Sequence, residues 1–200
     1  MKQKITKTHT SDFIEWNAAN GLVNRLMKDG NYVMAALITC GIYFGLRISD
    51  LRKLTWAMVL NDENDTFNIH EEKTNKLRTV KVNANAKQLL TDCYNGLDCP
   101  AMSQHCFISK KKQVFSTQRI NVLLKDIRDK YNVKCKNISC HSLRKTFGRA
   151  IFEKACENGQ GEMALIKLQS VFGHSAPQIT KIYLGIKQED LVQLVLPFTV

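Results

Sequence analysis

The stretch CHSLRKTF, residues 140–147, sets a histidine and an arginine three apart, with a lysine directly after the arginine. Leu143, Phe147, Ala150 and Ile151 recur at the spacing of one helix face, so an apolar stripe can seat the segment while His141, Arg144 and Lys145 gather near its start. A guanidinium keeps its charge and offers paired donors, and an imidazole titrates near neutrality. Together they suit the handling of a phosphate. The plainer reading is a helix that opens with solvated polar residues.

Four other residues stand out by context. Arg47 follows a glycine turn, Lys73 lies in a turn between two β-prone runs, His174 follows Phe-Gly, and Tyr183 comes nine residues later. Each alone has an ordinary use. Arg47 can pair with Asp50, Lys73 can be solvated, His174 can cap a helix after Gly173, and Tyr183 at helical spacing from Ile179 can be core.

The elements that would carry these residues read as mainly helical. Helices are expected over Asp12–Lys28, with Asp12 and Glu15 placed like a capping box, and over Tyr32–Thr39, with Gly41 and Gly45 bracketing a turn. A short helix capped by Ser49 or Asp50 follows Arg47. The runs AMVLND, TFNIHE and RTVKVN alternate with polar turns and predict a small three-stranded antiparallel sheet. Helical patterns return over Ala84–Tyr94, Thr117–Tyr131, Cys140–Glu157, Glu162–Phe172 and Pro177–Tyr183. No internal repeat or low-complexity linker interrupts them, so one mainly α domain is expected.

Composition narrows the function. The chain of 200 residues is 44% hydrophobic and 24% charged, enough for one substantial core. It holds no apolar run long enough to span a bilayer and no signal-peptide stretch, which predicts a cytoplasmic protein without a membrane partner. Seven scattered cysteines without a C-x-x-C pair make a disulfide framework improbable, and Cys93, Cys99, His105 and Cys106 match no usual zinc spacing. A formal net charge of +11 is the footprint of a nucleic-acid binder. The excess is local: residues 119–149 hold nine Lys and Arg against two Asp.

In order, GLRISDLRKLTW, EEKTNKLRTVKV, HSLRKTF and VFGHSAPQITKIYLG resemble the four signature segments of the tyrosine recombinase, or phage integrase, family. The resemblance runs from about Asp12 to Lys187. It implies the family's fold, a mainly α domain with a small three-stranded antiparallel sheet. It also implies the catalytic set Arg47, Lys73, His141, Arg144, His174 and Tyr183. Tyr183 would be the nucleophile on a DNA phosphodiester, and Arg47 and Arg144 would stabilise the charge that builds on the phosphoryl oxygens. His141 and His174 are candidates for taking the phenol proton, and Lys73 for protonating the departing 5′ oxygen, with Lys76 its rival in the same turn.

The product implied is a 3′-phosphotyrosyl link that stores the bond energy, so neither cofactor nor metal is expected; the chain has no P-loop and no carboxylate cluster suited to Mg²⁺. Lys110, Lys111, Lys112, Arg119, Lys125 and Lys145 are the candidates for duplex-backbone contacts. The partner implied is double-stranded DNA, held by a homo-tetramer on paired sites, with a monomer in isolation as the alternative. Residues 1–11 read as a basic extension, 12–187 as the catalytic domain and 188–200 as a tail that docks on a neighbouring protomer or folds onto its own domain. Family members commonly carry a further N-terminal DNA clamp, so the chain reads either as part of a longer integrase or as resembling the short fimbrial-type invertases. A non-cutting DNA-binding regulator and a type IB topoisomerase-like relaxing enzyme are the alternative functions.

Overall fold

The computed structural model describes residues 11–61 and 63–186. The tail 188–200 and the extension before Ser11 lie outside them. Among the described residues, nine helices and one two-stranded antiparallel sheet form the molecule.

Helix α2 (Tyr32–Phe44) is the axis of the main core. Met34 through Ile42 are all buried, as expected of a helix apolar on every side. Packed on it are α1 (Trp16–Lys28), α5 (Ala84–Gly96) and α7 (Cys140–Glu157). The sequence pattern ended α2 at Thr39 because of Gly41, but the helix runs through that glycine. A Cβ there would lie 2.7 Å from the Leu143 side chain, so Gly41 lets α7 approach α2 closely rather than turning the chain. The turn comes at Gly45, whose φ of 56° is left-handed and where a Cβ would lie 2.2 Å from the Phe147 ring.

Helix α1 begins at Trp16, not Asp12, and no side chain caps it. The Ile14 amide donates to Thr146 Oγ1, which donates in turn to the Ile14 carbonyl, so residues 12–15 are held extended along α7. Neither Ser49 nor Asp50 caps α3 (Ile48–Leu51); Arg47 holds the cap position and Asp50 is fully buried inside the helix.

The sheet has two strands, not three. β1 (Thr66–His70) pairs with β2 (Leu77–Lys81), from Thr66 opposite Lys81 to His70 opposite Leu77. Phe67, Ile69 and Val80 point inward in the expected alternation. Ala57, Met58 and Val59 of the run AMVLND instead lie in a single helical turn, α4 (Trp56–Val59). The Trp56 and Ala57 amides donate to the carbonyls of Gln104 and Met102, so loop backbone takes donors that a sheet partner would have used.

Helix α6 (Thr117–Lys130), capped by Ser116 Oγ on the Arg119 amide, leads to α7. A second, smaller core forms where α8 (Gly161–Phe172) and α9 (Pro177–Leu184) fold back on α7. It contains Phe152, Leu165, Leu168, Phe172, Leu184 and Ile186.

Candidate active site

Three chain features converge on the carbonyl of Phe172, the last residue of α8. Arg47, delivered by the Gly45 turn, donates from Nη2 to it at 2.8 Å, and Arg144, one turn into α7, donates from Nη2 at 3.2 Å. Gly173 follows with a φ of 64°, and a Cβ on it would lie 3.2 Å from Arg47 Nη2. Only glycine combines that backbone with that approach. Two guanidiniums are thus fixed side by side by one carbonyl oxygen.

Arg144 is 5% exposed. Its Nη1 donates to the Gly45 carbonyl at 2.7 Å, and its guanidinium lies over the Phe172 ring at 4.5 Å. Burial pulls its pKa down to about 10, helped by Arg47 and Arg78, so it stays cationic at neutral pH. Arg47 Nη1 donates to Glu71 Oε2 at 2.8 Å. The same oxygen accepts from Thr74 Oγ1 at 2.9 Å, and Arg78 Nη1 lies 3.6 Å from Oε1. Arg78 also donates to the Phe44 carbonyl at 2.8 Å. Glu71 therefore ties Arg47 to the β1–β2 turn. In the sequence it passes for a solvated turn carboxylate, and its burial among three partners is a tertiary effect. Asp50 is spoken for elsewhere: its Oδ1 accepts the Glu72 amide at 2.8 Å, which fixes the start of that turn on α3.

Tyr183, in the last turn of α9, brings its ring edgewise to His174, with centroids 5.2 Å apart, and to Phe172 at 5.4 Å. Its hydroxyl is buried and makes no well-aligned hydrogen bond, because the Arg144 donors nearby are aimed at the Gly45 and Phe172 carbonyls. Burial raises the phenol pKa, while Arg144 and Arg47 pull it back down. The His174 ring is held by Thr180, whose Oγ1 lies 2.9 Å from Nδ1. Burial lowers its pKa, and Arg144, Arg47 and Lys73 add to the shift, so the imidazole is neutral at pH 7.

His141 lies in the first turn of α7, where its ring remains exposed. Partial desolvation and then the charges of Arg144 and Lys145 lower its pKa. The turn carrying Lys73 closes over the same region, since the Thr74 methyl lies 3.9 Å from where a Gly173 Cβ would be. Lys73 is exposed, and its charge reaches His174. Lys76 is exposed too, and its carbonyl accepts the Glu71 amide on the far arm of the turn.

All six residues singled out by the sequence thus share one region. The arrangement can bind an anion between two arginines, keep two imidazoles neutral, and place a phenol beside one of them, His174.

The candidates for backbone contacts divide. Lys110, Lys111 and Lys112 sit exposed in the turn between Ile108 and Val114, and with Arg119 they border a groove of about 790 Å³ floored by Trp56, Tyr32 and Phe115. Lys125 is exposed on α6. Lys145 is buried instead: its ammonium donates to the Ser11 carbonyl at 2.7 Å and lies 5.1 Å from the centre of the Tyr183 ring. It faces the interior of the site, not a free surface.

The sequence profile of the Phage integrase family matches residues 14–189. The chain belongs to the phage integrase family. It is 25% identical over 162 residues to the tyrosine recombinase XerC of Caldanaerobacter subterraneus subsp. tengcongensis, covering 80% of this chain and 43% of that relative. It is 27% identical over 157 residues to the probable integrase/recombinase YoeC of Bacillus subtilis, covering 76% of this chain and 77% of that one. The chain therefore spans less than half of the XerC relative.

The fold matches the crystal structure of the XerA recombinase at a TM-score of 0.69 and 23% identity, over 93% of this chain and 64% of that one. It matches the lambda integrase catalytic core at a TM-score of 0.57 and 12% identity, over 82% and 91%. No described helix is long and apolar enough to cross a membrane.

Proposed function

We propose that this integrase-family chain cuts and rejoins double-stranded DNA at specific sites, with Tyr183 as the nucleophile. The observation that carries the reading is the pair of guanidiniums, Arg47 and Arg144, fixed on one carbonyl beside the buried Tyr183 hydroxyl.

A phosphodiester seated between Arg47 and Arg144 presents its non-bridging oxygens to preorganised donors, where the charge of the transition state develops. The Tyr183 oxygen attacks phosphorus and gives its proton to a neutral imidazole. Thr180 occupies His174 Nδ1, which leaves Nε2 for that task, and His141 is the second candidate. The 5′ oxygen leaves as the P–O bond breaks and takes a proton from Lys73, whose charge already bears on His174. The phosphotyrosyl bond keeps the energy of the broken one, so the reverse attack by a 5′-hydroxyl restores the DNA and frees Tyr183. Burial keeps the free phenol protonated. The bound phosphate and the imidazole therefore have to drive the proton off.

Lys110, Lys111, Lys112, Arg119 and Lys125 supply the exposed charge for duplex-backbone contacts. Residues 12–187 form the catalytic domain in this reading, and complete strand exchange takes four protomers on two sites.

The deciding experiment incubates the chain with nicked duplexes of varied sequence and resolves the products on a denaturing gel. A slow-migrating protein–DNA adduct is expected from the wild type and not from Tyr183→Phe. An adduct that persists in Tyr183→Phe, or none from a wild-type chain that binds the duplexes, overturns the reading.

A further inference from the structure

We propose that Lys145 is a positioning residue for the nucleophile: its ammonium, anchored by the backbone just before α1, holds the Tyr183 ring in place. The inference rests on the reading of Tyr183 as nucleophile, and it moves Lys145 from the DNA-contacting surface to the interior of the site.

Lys145 is only 8% exposed, which is rare for a lysine; burial lowers its pKa, and the charge of the neighbouring Asp12 carboxylate partly offsets this. Its three donors have one described acceptor, the Ser11 carbonyl at 2.7 Å. From that anchor the ammonium reaches the Tyr183 ring at 5.1 Å, within the range of a cation–π contact and in partly desolvated surroundings where such contacts are strongest. Phe172 and His174 meet the same ring edgewise at 5.4 and 5.2 Å. The Arg144 charge acts on the phenol, and Lys145 supplies the cation–π contact to the ring.

The anchor is itself rigid. The Asp12 amide donates to the Asn137 carbonyl, and Ile14 exchanges two hydrogen bonds with Thr146, the residue after Lys145. Residues 11–14 are thereby fastened to the start of α7, the helix that also carries His141 and Arg144. The nucleophile's ring is referenced to the same helix as the phosphate-binding groups, although Tyr183 arrives on the separate helix α9. A lysine contacting DNA would need none of this construction.

Two variants divide the anchor from the charge. Lys145→Gln keeps a donor for the Ser11 carbonyl and loses the cation, and Lys145→Arg keeps the cation. Adduct formation on a nicked duplex is measured beside binding to the same duplex across a salt series. In parallel, the full chain is labelled at tyrosine Cζ with carbon-13; it contains five tyrosines, and Tyr183→Phe identifies the relevant signal. The expected result is a loss of tenfold or more in adduct rate for Lys145→Gln with unchanged duplex affinity. The Tyr183 signal moves while the other four stay, and Lys145→Arg remains within about threefold of wild type.

The proposal is overturned if Lys145→Gln forms adduct at the wild-type rate with the Tyr183 signal unmoved. It is equally overturned if duplex affinity drops and the salt slope falls by about one with that signal unmoved, the signature of a phosphate contact. Because the Tyr183 signal is read without DNA, failure of the recombinase reading shows in the gel, and failure of this one shows in the spectrum.

Discussion

At the scale of single residues, the site holds a cluster of guanidiniums in place with one buried carboxylate before any ligand arrives. Glu71 is the pivot: one of its oxygens accepts from Arg47 and Thr74, and the other faces Arg78. Burial alone would raise its pKa, but the hydrogen bonds from Thr74 and Arg47 and the charges of Arg47 and Arg78 outweigh it and hold the carboxyl below its usual value. The unfolded chain therefore binds this proton more tightly than the folded one. The stability contributed is fully present above the ordinary glutamate range, near 4.3, and is lost as pH falls through the lower folded value. Glu71→Gln keeps an acceptor but removes the charge, and should cost about 1–3 kcal/mol at neutral pH. Urea melts of both chains at pH 7 and at successively lower pH test this. The two curves should converge in acid, and curves that stay parallel would show that the carboxylate is not the source of the difference.

At the scale of elements, what the sequence carried and what it did not have separate causes. The long helices α6, α7 and α8 were legible because their apolar periods run for three turns or more, and α7 places His141 and Arg144 as that period requires. Periodicity has little to say about a four-residue element: α4 looked like a strand because Val59 and Leu60 are buried and β-prone, and only the loop at 102–104 decides otherwise. The six chemistry-bearing residues are chosen from motif order, yet Glu71, which holds Arg47, Arg78 behind it, and Thr180, which holds His174, depend on tertiary contacts. Lys145 shows the same limit, since a basic residue in a basic stretch gives no sign that it points inward.

Gly45 is the element-scale feature with the sharpest consequence. Its left-handed backbone ends α2, its carbonyl accepts from Arg144, and its bare Cα admits Phe147. Gly45→Ala should be destabilising by about 2–4 kcal/mol, combining backbone strain with overpacking against an aromatic ring. The urea midpoint reads that cost. A change under about 0.5 kcal/mol would mean that Phe147 has another place to go.

At the scale of the whole molecule, the groups proposed for catalysis are divided between two hydrophobic cores. The large one, centred on α2, carries Arg47 on the turn that leaves it and includes Leu143 beside Arg144. The small one, formed by α8, α9 and the middle of α7, carries His174 and Tyr183. Helix α9 has eight residues and buries only Thr180 and Leu184 fully, while Ile179 and Ile182 are 44% and 69% exposed. Exposed Met163 and Ile166 on α8 add to the apolar surface this unit leaves uncovered. Local opening free energy follows buried apolar contact, so the small unit should open more readily than the large one. Amides within 161–184 are expected to exchange faster than those within 32–44 under native conditions, by at least tenfold where backbone hydrogen bonds are equally complete. Equal protection in the two segments would mean that the hooks from Arg47 and Arg144 onto the Phe172 carbonyl lock both cores into one cooperative unit. The expected inequality bears on the proposed function: helix α9, with the proposed nucleophile Tyr183, can shift while the frame that holds Arg47 and Arg144 stays folded, which suits the proposed reaction because the phenol is buried and protonated in the free chain.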